Sequence, residues 1–300
     1  MKNADVYLYG QILMTTSVLV KNGFPKPDGY SEIKAKYRLT GGETGTCATV
    51  LNALGCTVRA QGTCLGRTTR DDVLRFYKGS NVDLSLMDYD ENFDGLEDFV
   101  LIADDVRTCM GVFGSFETDG KKHWSKPTLE QLAGCKVAAV DPYFQGEGER
   151  VSSLCVEAGL PYVTIDCAYD SYMSKHAAIN AVSNEYLSAT YPDVDRRELM
   201  KRYTDNSDGL IIFTLGAKEI LYAQKGKEIK SFVPYPVQVE STLGAGDTFK
   251  AGCTYALLKG MSNDDAVAFA SACAGAAIMK FPIPLHPPTL ERIAAVQALR

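Results

Sequence analysis

Four short runs, residues 6–9, 136–140, 162–165 and 210–215, are apolar at almost every position. A strand with one solvated face alternates polar and apolar side chains, whereas an unbroken apolar run marks a strand covered on both faces. Helical patterns at residues 44–54, 69–78, 148–158 and 196–203 separate these runs. Alternation of this kind over nearly the whole chain predicts an α/β fold, a mostly parallel sheet with helices on both faces.

Two regions break the rhythm. Residues 11–40 and 93–126 hold alternating, turn-rich segments such as 99–104 and 108–116, with no helical period. They are expected to form antiparallel strands outside the main sheet, a small β lid over the α/β body. No repeat or low-complexity linker divides the chain, so residues 1–300 read as one domain with its lid.

The last third is the best punctuated. Pro234 and Pro236 bracket an extended segment, and Ser241, Thr242, Leu243, Gly244, Ala245, Gly246 and Asp247 lead into a helical run ending at Lys259 and Gly260. The lysine suits the negative end of the helix dipole, and the glycine a left-handed cap. Ser262 is the expected N-cap of a second helix, residues 263 to about 279, which Phe281 and Pro282 stop.

Composition narrows the partners. Lys+Arg number 31 against 37 Asp+Glu, without a basic block, which argues against nucleic acid. The nine cysteines form no C-x-x-C pair and read as reduced, mostly buried thiols. The first ten residues lack the grading of a signal peptide, and the apolar run 12–20 is interrupted by Thr15, Thr16 and Ser17. A cytoplasmic protein without a membrane partner is expected.

Gly244, Ala245, Gly246 and Asp247 form the most informative stretch. Small residues let a backbone approach a ligand closely, and the first-turn amides of a helix have no intrahelical acceptor. Those amides and the helix dipole favour an anion. If the anion is a γ-phosphate beside a hydroxyl, the Asp247 carboxylate can take the hydroxyl proton during transfer. On these four residues alone, a tight turn with Asp247 as a helix cap is an equal alternative.

Residues 239–252 resemble the C-terminal signature of the PfkB/ribokinase family of carbohydrate kinases, Asp-Thr-x-Gly-Ala-Gly-Asp-x-Phe followed shortly by Ala-Gly. Thr242, Gly244, Ala245, Gly246, Asp247, Phe249, Ala251 and Gly252 match, and Ser241 replaces the first Asp. Elsewhere Gly41 and Gly42 resemble the family's Gly-Gly segment at the sugar site, and Arg107-Thr108 a lid strand. Thr214, Leu215 and Gly216 resemble its nucleotide-contacting turn, and Asn184 its Asn-x-x-Glu motif.

The resemblance implies a ribokinase-like three-layer α/β/α sandwich with a β-sheet lid. It implies transfer of the ATP γ-phosphate to a hydroxymethyl group, with Mg²⁺ required. Asp247 would be the base and the amides of Gly244, Ala245, Gly246 and Asp247 the anion hole. Asn184, Thr214, Gly216, Thr242 and Cys273 would lie at the nucleotide, with packing the stronger reading of Cys273. Thr15, Gly41, Gly42, Thr46 and Arg107 would lie at a sugar or sugar-like acceptor. No side chain is assigned to metal, and any homodimer is expected to form through the lid.

Four positions depart from the family pattern. Thr15 and Thr46 stand where relatives usually carry an Asp and an Asn for sugar hydroxyls, so Glu43 or Asp28 would have to supply the missing charge, or the acceptor is unusual. Leu187 replaces the Glu of Asn-x-x-Glu, and Ser241 an Asp often linked to a monovalent cation. These departures keep open a nucleoside or vitamin-precursor kinase, and a non-catalytic ligand-binding relative. His123 beside Trp124 reads as lid surface. The chain has no Walker loop, no G-x-G-x-x-G after the first strand, no H-E-x-x-H and no G-x-S-x-G.

Overall fold

The computed structural model describes residues 3–21, 23–103 and 106–300. Residues 104 and 105, within the second segment expected in the lid, and the first two residues of the N-terminal stretch lie outside them. The strands are, in chain order, β1 (Val6–Gly10), β2 (Leu13–Val20), β3 (Ile33–Gly41), β4 (Val58–Gly62), β5 (Val82–Asp83), β6 (Glu97–Ala103), β7 (Val106–Gly111), β8 (Val137–Val140), β9 (Tyr162–Ile165), β10 (Ile179–Ser183), β11 (Leu210–Thr214), β12 (Ile220–Ala223) and β13 (Lys230–Phe232).

Among the described residues, nine strands form the main sheet in the order β13-β12-β11-β10-β9-β8-β1-β4-β5. Pairing is parallel from β11 to β5 and antiparallel only at β12 and β13. The continuous apolar runs have the reason expected of them. Val6 and Leu8 pack into one core, under the helices Glu43–Ala53, Ala245–Leu258 and Asn263–Ile278. Tyr7 and Tyr9 pack into a second core on the opposite face, with Val151 and Cys155 of the helix Glu147–Glu157. Because successive side chains point to opposite faces, only an all-apolar strand fills both layers. Among the described residues, no helix is long and apolar enough to cross a membrane.

A separate four-stranded sheet has the order β3-β2-β6-β7. The β2–β3 and β6–β7 pairs are antiparallel as expected, but β2 and β6 run parallel. They come from distant segments joined through β4 and β5 of the main sheet, so no hairpin sets their relative direction. The expected strand at 108–116 also differs. β7 stops at Gly111, and Phe113–Thr118 turns into a helix. Tertiary packing overrides the local alternation here: Phe116 is buried against Trp124 and Phe144, and the Glu117 carboxylate accepts from the Phe144 and Gln145 amides.

His123 is not on a surface. It is 9% exposed, stacks on Phe93 at 4.3 Å, and its Nδ1 lies 2.6 Å from an Asp90 carboxylate oxygen. Seven of the nine cysteines are buried, Cys135 is half-buried and Cys109 exposed, all with free thiols. Ser262 caps its helix by accepting from the Asp265 amide, and Gly260 adopts φ 64° after the preceding one.

Parallel strands place their carboxyl ends on one rim, where Gly10, Asp141, Asp166, Ser183 and Thr214 stand at or just beyond β1, β8, β9, β10 and β11. Gly10 is required by close approach. A Cβ there would stand 1.9 Å from Asp141 Oδ2 and 2.4 Å from Thr44 Oγ1. Gly10→Ala is expected to destabilise the fold by about 1–3 kcal/mol or more, as overpacking does. A urea midpoint unchanged from wild type would contradict this.

Candidate active site

A cavity of about 210 Å³ opens between the second sheet and the start of the helix Ala245–Leu258. Alternation fixes what the sheet presents. Leu13, Thr15 and Ser17 of β2 share a face with Leu39 and Gly41 of β3, and all five line the cavity. A Cβ at Gly41 would sit 2.1 Å from the Thr15 hydroxyl, so glycine lets these strands close there. Gly42, Glu43 and Thr46 line the cavity from the start of the next helix, and Gly244 and Asp247 from the helix Ala245–Leu258. Four of the five residues expected at the acceptor, Thr15, Gly41, Gly42 and Thr46, are thus brought together with Asp247.

The fifth, Arg107, lies on β7, and its Nη1 donates to the Thr242 carbonyl at 2.7 Å. It therefore ties the second sheet to the loop before Asp247. Of the two carboxylates considered as replacements, Glu43 lines the cavity, while Asp28 is exposed and does not.

Gly244 is the N-cap of the helix, at φ 79°, a conformation other residues adopt only with strain. The expected set of four free amides is reduced, because the Ala245 N–H donates to the Thr242 carbonyl at 3.2 Å. The amides of Gly246 and Asp247 remain in the first turn, where no preceding helical carbonyl can accept from them. Apart from its chain neighbours and its own helix backbone, no atom of the described residues comes within 4 Å of where a Cβ on Gly246 would stand, so that space is open to a ligand.

Beneath this turn lies a buried ion pair. Lys250 Nζ is 2.5 Å from Asp141 Oδ1, with the side chains 1% and 0% exposed. Asp141 Oδ2 accepts from the Thr44 hydroxyl at 2.8 Å. Burial works against the lysine's charge, yet Asp141, Cys47 and Asp247 together hold its pKa above the usual range. Burial pushes the Asp247 carboxyl up and Asp141 adds to this, while Lys250, three residues on, pulls it down. Glu43 is raised to about 8, first by burial and then by the charges of Asp247 and Asp141. It accepts a hydrogen bond from the Tyr143 hydroxyl at 3.1 Å.

The expected nucleotide residues are spread along the same rim. Ser183 and Thr214 are register partners at the ends of β10 and β11. Asn184 is exposed at the start of the helix Asn184–Thr190, and Gly216 is exposed at φ 67°. Thr242 is exposed beside the Gly244–Asp247 turn. Cys273 is different: it is fully enclosed in the packing of the long helices, which accounts for it as core and leaves it no surface for a ligand. Leu187 is likewise core, packed with Leu199, Met200 and Tyr203.

The sequence profile of the pfkB family carbohydrate kinases matches residues 3–281. The chain belongs to the pfkB family of carbohydrate kinases. A ribokinase of Haemophilus influenzae is 38% identical over 95 residues, 30% of each chain. The fructoselysine 6-kinase of Escherichia coli is 36% identical over 93 residues, 31% of this chain and 35% of the other. These matches span about a third of the curated relatives' length. The structure of Arabidopsis thaliana ribokinase complexed with ribose and ATP superposes with a TM-score of 0.81 at 17% identity, covering 99% of both chains. The shared architecture is the ribokinase fold.

Sequence reasoning missed three charged groups in this pfkB chain: Asp98 in the cavity wall, and Asp141 and Lys250 beneath it. Lys250 sits three residues past Asp247, inside the signature, and was the one with a local signal.

Two outcomes follow from the electrostatics. Lys250→Met strands a buried carboxylate and is expected to cost about 3–5 kcal/mol, most of it recovered in a Lys250→Met, Asp141→Leu double variant. Denaturant unfolding of the three proteins measures this, and an undamaged single variant would contradict it. Glu43, with an ordinary value of 4.5 and a folded value of about 8, binds a proton on folding between those limits. Stability should therefore fall as pH rises through that window, with the full penalty present above pH 8. Because Glu43 is only half-buried, Glu43→Gln is expected to gain about 1–3 kcal/mol over wild type at alkaline pH and nothing at strongly acid pH. Urea midpoints at the two extremes test the sign.

Proposed function

We propose that this chain is an ATP-dependent kinase that transfers the γ-phosphate to a hydroxymethyl group of a sugar or sugar-like small molecule. The observation that carries the reading is the position of Asp247: it borders the same cavity as Thr15, Gly41, Gly42 and Thr46, in the same turn as two free helix amides. The related plant ribokinase is complexed with ribose and ATP, which fits this division into acceptor and nucleotide sides.

In the proposed reaction the acceptor hydroxyl oxygen attacks the γ-phosphorus, the bond to the β,γ-bridging oxygen breaks, and ADP leaves. The hydroxyl proton passes to Asp247, and the amides of Gly246 and Asp247 stabilise charge on the transferring group. Asn184, Thr214, Gly216 and Thr242 hold the nucleotide along the rim. Mg²⁺ brought on the nucleotide typically takes one or two protein carboxylates plus phosphate oxygens. Asp166, just past β9, and Glu185, in the first turn of the helix Asn184–Thr190 and close enough for its charge to act on Asp166, would hold it, and bound there it would neutralise phosphate charge.

The second sheet acts as the lid of a single kinase unit in this reading. Phe99 and Met110, cross-strand partners exposed on that sheet, favour the lid as the surface for a homodimer.

ADP release with ATP and a panel of sugars, sugar derivatives and nucleosides tests the activity. Asp247→Asn is expected to keep the fold and nucleotide binding while losing about 10²- to 10⁴-fold in kcat, the usual worth of a positioned base. Turnover near the wild-type rate in this variant would remove Asp247 from the role.

A further inference from the structure

Asp98 lies on β6 directly across from Thr15 in the parallel register, and both line the acceptor cavity. Its Oδ1 is sealed from solvent and accepts no hydrogen bond. Burial lifts its pKa to about 6, partly offset by the Thr15 hydroxyl beside it. A buried acceptor without a donor is costly, and more so when it belongs to a charged group. A ligand that brings an opposite charge to this carboxylate, where the residue lines the cavity, offsets that cost.

Charge decides which donor suits. Glu43, Asp98 and Asp247 line the cavity, and among the described residues no Lys, Arg or His does. Arg107 and Lys250, the cations that act on Asp247, are engaged with the Thr242 carbonyl and with Asp141. Much of the remaining wall is apolar, with Leu13, Leu39, Leu243, Phe281 and Ile283. A low-polarity wall strengthens the attraction of Asp98 for an opposite charge. An anionic acceptor, such as a sugar acid or a sugar phosphate, would face carboxylates with no cation among the lining side chains. A neutral diol supplies donors but leaves the charge uncompensated. A protonated amine supplies both.

We propose that Asp98 determines acceptor specificity, and that the acceptor is an amine-bearing sugar or sugar-like alcohol whose ammonium group seats on Asp98 while its hydroxymethyl group faces Asp247. This rests on the kinase reading above for the second half of the statement only; the seat for the amine stands on the cavity itself.

Matched pairs separate charge from shape: glucosamine against glucose and N-acetylglucosamine, and 1-amino-1-deoxyfructose against fructose. Isothermal titration in the presence of a non-hydrolysable ATP analogue reads binding, and ADP release with ATP reads turnover. At least one amine is expected to bind about 10- to 100-fold more tightly than its neutral counterparts, the worth of a charge-assisted hydrogen bond. Asp98→Asn, or Asp98→Ser if the first does not fold, is expected to erase that ratio. Amines that bind no better than their counterparts would overturn the proposal, as would a preference that survives in a folded Asp98 variant. An amine that binds with Asp98-dependent preference yet yields no ADP supports the seat and counts against the kinase reading. ADP release confined to neutral sugars does the reverse.

Discussion

The Lys250–Asp141 ion pair is the contact from which the site is hung. Asp141 stands just past β8, Lys250 is on the helix that Gly244 caps, and Thr44, bonded to the other oxygen, is on the helix that follows Gly42. One carboxylate thus fixes the helix Glu43–Ala53 and the helix Ala245–Leu258 to the carboxyl rim of the sheet. Gly10 belongs to the same arrangement, because any side chain there would occupy the position of Asp141 Oδ2. The cavity depends on this junction from one side and on the second sheet from the other, with Arg107 bridging the two at the Thr242 carbonyl.

Much of the fold was legible because burial on both faces leaves a plain mark in sequence. The runs at 6–9, 136–140, 162–165 and 210–215 became β1, β8, β9 and β11 within a residue or so. Helix ends were legible where a cap supplied them, as at Ser262 and Gly260. The second sheet was legible only in outline. Alternation predicts a strand but says nothing of the direction of its partner, so the parallel β2–β6 pairing was missed. The helix at Phe113–Thr118 was missed because its cause is a buried aromatic cluster assembled from residues 116, 124 and 144.

The candidate site was legible in proportion to how local its chemistry is. Asp247, Gly244 and Gly246 occupy one turn, and their relation could be read from a few residues. Asp98 could not be read this way. An aspartate in an alternating strand looks like the solvent face, and only the register with Thr15 shows that its face turns inward. Asp141 and Lys250 are far apart in sequence, and neither is informative without the other. The engagement of the Ala245 amide by Thr242 is likewise a matter of loop geometry, not of composition.

A buried ion pair is a weak device for stability alone. Replacing both partners by apolar residues of similar volume is often neutral or stabilising, since desolvation offsets much of the attraction. The cost of burying Lys250 therefore calls for another account, and its neighbours supply one. Asp247, Asp141 and Glu43 crowd a site where burial already disfavours ionised carboxylates. Without a cation nearby, the group best placed to accept a proton would itself tend to hold one. Lys250 counters that tendency at Asp247, while burial and the charges of Asp247 and Asp141 favour the uncharged form of Glu43. The pair thus joins structure to chemistry: the contact that positions the Gly244–Asp247 turn also favours the ionised form of Asp247, the form that the proposed base would need.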